Sequence, residues 1–115
     1  MIEDQCFKLR SGALIPKVGL GTWKAPQEKT FDAVEAAIRS GYRMVDCAND
    51  YDNEHVIGEV LKKMFAEGVV TRDQLFIQAK LWNSNHRPEH VKADLMATLA
   101  DLQLDYVDSF VIHWP

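Results

Sequence analysis

Short apolar segments alternate with amphipathic segments along most of this chain. The apolar segments have the composition of strands and lie at residues 18–23, 42–48, 75–82 and 106–114. The segments between them carry apolar residues at helical spacing, at residues 28–40, 53–67 and 88–102. Strands that alternate with helices pair in parallel, because each helix returns the chain to the same edge of the sheet. The sequence therefore predicts an α/β fold in which helices pack on a parallel sheet.

Turn-forming residues mark the boundaries of these segments. Gly41 and Gly68 follow the first two helical segments, where glycine commonly ends a helix. Pro88 suits the first turn of the third helix, after a polar loop at residues 83–87. Residues 7–16 precede the first of these strands and have the pattern of a hairpin with a Ser-Gly turn. The predicted order is a hairpin, then three βα units, then a final strand.

The composition limits the class of protein. The chain has 115 residues, of which 47% are hydrophobic and 26% are charged, and its net charge is −4. This balance is typical of a soluble globular protein, and the negative charge disfavours nucleic acid and anionic membranes as partners. We find no membrane span and no secretion signal in the sequence, and Cys6 and Cys47 lie too far apart to indicate a disulfide framework. A cytoplasmic protein with reduced thiols is predicted.

Three histidines have no pattern that indicates a metal site. His55, His86 and His90 share no recognisable ligand spacing with an acid or a thiol. We therefore predict that these side chains are solvated, that Cys47 packs in the sheet, and that the chain holds no metal ion.

Four polar side chains fall at the predicted carboxyl ends of strands. Asp46 lies near the end of the second strand and Tyr51 follows in its loop, whereas Lys80 and His113 lie at the ends of the next two strands. Functional groups of parallel α/β folds collect at this edge of the sheet. We therefore predict that the four side chains face one another in a site that transfers protons.

Each of these residues also has a purely structural interpretation. Lys80 and Asp46 could form a structural ion pair, because an ammonium inside a sheet is costly unless it is paired. Tyr51 could be a surface residue of its loop, and His113 could be a hydrogen-bonded core histidine. Only the combination of the four at one edge favours a functional site.

Four motifs together resemble the aldo-keto reductases, which are (β/α)8-barrel enzymes that use NADPH. They lie at residues 19–24, 46–58, 80–82 and 112–115 and follow the order and spacing of that family. Residues 99–106 are similar to its aldehyde and aldose reductase branch. Asp52 departs from the pattern, which commonly has glycine at this place. Aspartate tolerates left-handed backbone better than most residues, so we expect the loop to keep its shape.

The resemblance implies a role for each residue of the site. Tyr51 would give a proton to a substrate carbonyl, Lys80 held by Asp46 would make the phenol a stronger acid, and His113 would orient the carbonyl. The implied contacts with NADPH come from Thr22, Trp23, Lys24 and Asp46. The implied substrate contacts come from Trp23, Tyr51, Trp82, His113 and Trp114. The alternatives are core aromatics for the tryptophans and a solvated loop for Thr22 and Lys24.

The implied activity is the NADPH-dependent reduction of aldehydes and ketones, including aldoses, to alcohols. A barrel relative without activity, serving as a regulatory or scaffold subunit, and an inactive truncated product are the alternatives. A (β/α)8 barrel needs about 250 residues. Residues 1–115 are therefore predicted to be the N-terminal half of a single barrel, inactive alone and a monomer when complete.

Overall fold

The structure is a computed structural model, and it describes residues 3–82 and 86–114. These parts of the chain contain six strands and three α-helices. The strands are β1 (Cys6–Lys8), β2 (Leu14–Pro16), β3 (Leu20–Gly21), β4 (Met44–Asp46), β5 (Phe76–Leu81) and β6 (Ser109–Ile112). The helices are α1 (Gln27–Arg39), α2 (Glu54–Ala66) and α3 (Pro88–Leu102). The order is the one predicted from the sequence.

The N-terminal hairpin is confirmed. Strands β1 and β2 pair antiparallel, with Cys6 opposite Pro16 and Lys8 opposite Leu14. Gly12 closes the turn with a φ of 93°, and its amide donates to the Leu9 carbonyl at 2.9 Å. Glycine takes this positive φ without the steric cost that a β-carbon brings, which is why the Ser-Gly pair predicts the turn.

The other four strands form one parallel sheet in the order β3-β4-β5-β6, with a helix between each strand and the next. The alternation in β5 separates its two faces. Ile77 and Ala79 are fully buried, and Ile77 belongs to a core that α1 and α2 complete, whereas Gln78 and Lys80 project from the opposite face. The predicted parallel sheet and its helical cover are therefore confirmed.

The predicted strands were too long at their ends. The first barrel strand has two residues instead of the six predicted, because Gly19 and Gly21 offer little to a pleated surface and β3 pairs only with β4. Strand β6 has four residues instead of nine. Of the polar loop predicted at residues 83–87, the first three residues lie outside the described parts of the chain, as does Pro115.

Helices α2 and α3 approach each other closely at Gly58. A β-carbon there would clash with the carbonyl oxygen of Asp101 and would lie 3.0 Å from the backbone of Leu102. The motif that ends at Gly58 thus has a packing reason for its glycine. It lets α2 rest directly on the backbone of α3.

The burial of α3 differs from its apolar pattern. Leu102 is buried as predicted, but Val91, Leu95 and Leu99 are only half-buried. The most buried residues of the helix also include two polar ones, Asp94 and Thr98. These polar side chains contact α2, the turn before it and the backbone just after β5, so α3 buries a partly polar face there.

Apolar side chains remain uncovered near β6 and α3. Val111, Ile112, Trp114, Met96 and Tyr106 are between 38% and 62% exposed. One edge of the sheet and one side of α3 therefore present apolar surface to solvent. None of the helices in the described parts of the chain combines the length and apolar character of a membrane span.

Candidate active site

An ion pair joins the ends of β4 and β5. The Lys80 ammonium donates to Asp46 Oδ1 at 2.6 Å and to the Cys47 carbonyl at 3.1 Å. The side chain of Lys80 is 11% exposed and that of Asp46 is 29% exposed, so water screens the pair only in part. The structure therefore places these two predicted residues in direct contact.

The surroundings of Lys80 keep its ammonium charged. Burial acts to lower the pKa of Lys80, but the hydrogen bond to Asp46 and the interaction with Tyr51 outweigh it and raise the pKa above its ordinary value. A positive charge thus stays at this position throughout the neutral range.

Tyr51 lies beside this charge, at the end of a single 3-10 turn (Asn49–Tyr51) that follows strand β4. The Lys80 ammonium is 4.9 Å from the centroid of the Tyr51 ring. The turn ends at Asp52, which has the left-handed φ of 55°, and Gln27 donates to the Asp52 carbonyl at 2.8 Å. Aspartate therefore adopts the backbone conformation for which glycine is common, as predicted.

His113 follows β6 and completes the cluster. Its ring lies edge-on to Tyr51, with 5.7 Å between centroids, and edge-on to Trp82 at 6.2 Å. The ring of Trp114 stacks on it at 5.5 Å. The four predicted catalytic residues thus form one chain of contacts, from Asp46 through Lys80 and Tyr51 to His113.

The loop after β3 carries three residues that were predicted to bind the cofactor. Thr22 is buried, and its hydroxyl donates to the backbone carbonyl of Asp46 at 2.7 Å. This bond fixes the loop to β4, so the Thr22 hydroxyl is already engaged within the fold. Trp23 is 67% exposed, and the Lys24 ammonium lies 4.8 Å above its ring. Trp23 and Lys24 are therefore available at the rim, whereas cofactor binding by any of the three stays a prediction.

A buried amide and a buried acid brace the segments that follow β3, β4 and β5, and sequence reasoning missed them. Asn53 is fully buried, and its Nδ2 donates to the Thr22 carbonyl at 2.9 Å. Asp94 on α3 accepts from Asn49 Nδ2 at 2.8 Å and from the Trp82 amide at 3.0 Å. The sequence signal for Asn53 was its position just before α2, and that position indicates a helix cap rather than a bond between loops. No side-chain cap bond is made, and the amide ties two loops together instead.

Glu54 is a second buried acid that sequence reasoning did not single out. It is 2% exposed, Thr98 donates to its Oε1 at 3.2 Å, and its Oε2 has no hydrogen-bond partner among the described residues. Burial raises the pKa of Glu54 to about 7, against the hydrogen bond from Thr98, which lowers it, and the charges of Asp101 and Asp94 add to the rise. The carboxyl is therefore close to half-protonated near neutral pH.

Cys47 and three histidines were predicted to have no chemical role. Cys47 is fully buried in the sheet, and burial raises the pKa of its thiol, so it is not a nucleophile. His55, His86 and His90 are exposed, as predicted. The residues that the strand ends bring together are thus the ones suited to moving a proton: a phenol beside a fixed cation, with an imidazole on its other side.

Known proteins resemble this chain over nearly its whole length. Residues 17–115 match the model of the Aldo/keto reductase family. The chain is 53% identical over 109 residues to aldo-keto reductase family 4 member C11 of Arabidopsis thaliana. The aligned region covers 95% of this chain and 35% of that protein. It is 52% identical over 108 residues to the NADH-dependent D-xylose reductase of Candida parapsilosis, with coverage of 94% and 33%.

A solved structure has the same fold. The aldose reductase of Schistosoma japonicum superposes with a TM-score of 0.92 at 44% identity, covering 96% of this chain and 36% of that one. The predicted fold class is thereby confirmed, since the chain has the architecture of part of a (β/α)8 barrel. It spans about a third of the length of the curated relatives described above. The chain belongs to the aldo/keto reductase family.

Proposed function

We propose that the complete protein containing this chain reduces aldehydes and ketones, including aldoses, to alcohols with NADPH. One observation carries the proposal, namely that the Lys80 ammonium lies between the Asp46 carboxylate and the Tyr51 ring. A phenol is ordinarily a weak acid, and a fixed cation beside it favours loss of its proton. Family membership supports a carbonyl as the group that receives this proton.

In the proposed mechanism each residue has one task. Tyr51 donates its proton to the carbonyl oxygen of the substrate. Lys80 stabilises the phenolate that results, and Asp46 fixes the ammonium in place. His113 lies against Tyr51 and donates a hydrogen bond that orients the carbonyl. Trp23, Trp82 and Trp114 form apolar walls around the site.

A nicotinamide cofactor fits the residues around this site. NADPH would supply a hydride to the carbonyl carbon. Both side-chain hydrogen bonds of Asp46 go to Oδ1, and Oδ2 makes none with the described residues, so it can accept one from a cofactor hydroxyl. Lys24 on the exposed rim offers a cation to a phosphate, whereas Thr22 would contribute mainly by holding its loop. Since one relative is named as NADH-dependent, NADH is the alternative cofactor.

The extent of the chain is also part of the proposal. Residues 1–115 would be the N-terminal half of one barrel, because the sheet has four parallel strands and a barrel has eight. The complete protein would be a cytoplasmic monomer. The chain alone would lack the later cofactor contacts and would be inactive.

An assay of NADPH oxidation tests this function. The complete protein is expected to oxidise NADPH only when an aldehyde is present, and residues 1–115 alone are expected to give no aldehyde-dependent oxidation. A complete protein that folds and binds NADPH but leaves simple aldehydes and aldoses unchanged would instead be the non-catalytic relative. Turnover by the isolated chain would contradict the proposed extent of the domain.

A further inference from the structure

A row of polar side chains crosses three strands of the sheet, on the same face as Lys80. Asp46 on β4 is the ladder partner of Gln78 on β5, and Gln78 is the partner of Ser109 on β6. Lys80 lies two residues beyond Gln78, one layer nearer the carboxyl ends of the strands. Inward layers of such barrels are dominated by branched apolar residues, so a row of polar ones requires an explanation.

These side chains form a continuous set of hydrogen bonds. Ser109 Oγ donates to Gln78 Oε1 at 3.2 Å, and Gln78 Nε2 donates to Asp46 Oδ1 at 2.9 Å. Asp46 Oδ1 also accepts the bond from Lys80 at 2.6 Å. One carboxylate oxygen is therefore shared between the Gln78 amide and the Lys80 ammonium.

The chemistry of the groups fixes the direction of these bonds. A carboxylate only accepts, so the NH₂ end of Gln78 must face Asp46. Its carbonyl then faces Ser109, whose hydroxyl is the donor. Any other amide orientation would place two acceptors together beside Asp46. The Ser109 hydroxyl thus holds the Gln78 amide in the orientation that the carboxylate needs.

We propose that Gln78 and Ser109 are positioning residues that set how completely Asp46 neutralises Lys80. The hydrogen bond from the Gln78 amide stabilises the negative charge on Asp46 Oδ1. Asp46 then compensates less of the positive charge of Lys80, and more of that charge acts on Tyr51. This inference rests on the proposed function for its catalytic meaning. The hydrogen bonds themselves concern only residues of this chain.

Among the residues that the structure describes, few charged and titratable groups lie around Lys80. Asp46 and Tyr51 act on it directly, and Glu54 and the Cys47 thiol couple to it more weakly by charge. His113 lies beyond Tyr51. Gln78→Met leaves all of these groups unchanged, so its effect on the titration of Lys80 would report the loss of the amide alone, whereas Gln78→Glu also adds a carboxylate beside Asp46.

A series of substitutions at Gln78 tests the proposal. Gln78→Met keeps the size of the side chain but removes the donor, and Gln78→Glu replaces the donor with a second anion. The titration of Lys80 is followed in the complete protein by NMR of the labelled lysine side chain, from about pH 8 to about pH 12. We expect the pKa of Lys80 to rise from wild type to Gln78→Met to Gln78→Glu, in steps of about half a pH unit.

Ser109→Ala supplies the second arm of the test. It should raise the pKa of Lys80 less than Gln78→Met does, and it should add nothing when Gln78 is already Met, because its effect passes through the amide. Gln103→Met is the matched control, since the Gln103 amide also donates to a carboxylate, that of Glu59 at 2.7 Å, on exposed helix surfaces. The control should leave the titration of Lys80 unchanged.

The pH profile of alcohol oxidation gives the catalytic readout. Its alkaline midpoint should move upward in the same order, because a more neutralised Lys80 presents less positive charge to the group that takes the proton of the alcohol. A merely structural role would lower activity without ordering the midpoints. Equal Lys80 titrations in all three proteins would overturn the inference. If the wild type shows no activity, the proposed function fails while the NMR series still decides the role of Gln78.

Discussion

Tyr51→Phe is expected to reduce the turnover number for aldehyde reduction by about 10²–10⁴-fold, the usual contribution of a positioned general acid. The substitution removes the phenolic proton of Tyr51 while it keeps the ring, which lies beside both the Lys80 ammonium and His113. The Michaelis constant for aldehyde should change little, since the apolar walls remain. Steady-state oxidation of NADPH by the complete protein measures both parameters.

Tyr42→Phe is the matched control for this substitution. Tyr42 precedes β4, at the opposite end of the strand from the site, and is 40% exposed. It should retain the turnover number of the wild type. A Tyr51→Phe protein with more than about a third of wild-type turnover would exclude Tyr51 as the proton donor.

Glu54→Gln is expected to stabilise the folded protein by about 2 kcal/mol above neutral pH. Burial raises the pKa of Glu54 from 4.5 to about 7, so the folded chain holds this proton more tightly than the unfolded chain does. Its contribution to stability is therefore full below about pH 4.5 and is lost as the pH rises through about 7. That loss is about 3 kcal/mol, and burying the added NH₂ group without an acceptor returns about 1 kcal/mol.

Denaturant unfolding of both proteins across this pH range measures the effect. The difference in unfolding free energy should be near zero or slightly negative in acid and should grow through the neutral range. Glu28→Gln is the control, because Glu28 lies in the first turn of α1 as Glu54 does in α2, but is exposed. A pH-independent difference for Glu54→Gln would show that Glu54 has the same pKa in the folded and unfolded chains, which would contradict the prediction.

The fold was largely predictable because its pattern is local. The spacing of apolar residues predicts each helix. Gly41 and Gly68 follow α1 and α2 with positive φ values of 110° and 70°, a conformation that favours glycine at the end of a helix. Strand ends were not predictable in the same way. Pairing decides where a strand ends, and β3 is only two residues long because it pairs with β4 over just Leu20 and Gly21.

The site was predictable where residue type and strand position coincide. The predicted ends of three strands carry Asp46, Lys80 and His113. The structure brings these residues together around Tyr51. The same reasoning did not find the hydrogen bond from Thr22 to the Asp46 carbonyl, because it depends on the position of Asp46 on the neighbouring strand.

The supporting residues were unpredictable because they depend on register. Gln78 is adjacent to Asp46 and Ser109 only through the pairing of three strands, and no spacing along the chain reveals this. Asp94 is similar, since an acid on an amphipathic helix is expected to face solvent, whereas here two hydrogen bonds satisfy its buried carboxylate.

The rate of hydride transfer in a single turnover tests most directly whether the Tyr51 phenol and the Lys80 ammonium act together. It is measured for Tyr51→Phe, for Lys80→Met and for the protein with both changes. If Lys80 acts through Tyr51, removing the amine after the hydroxyl is gone costs almost nothing further. Losses that multiply in the double variant would mean that the two groups act independently and that this account of the site is wrong.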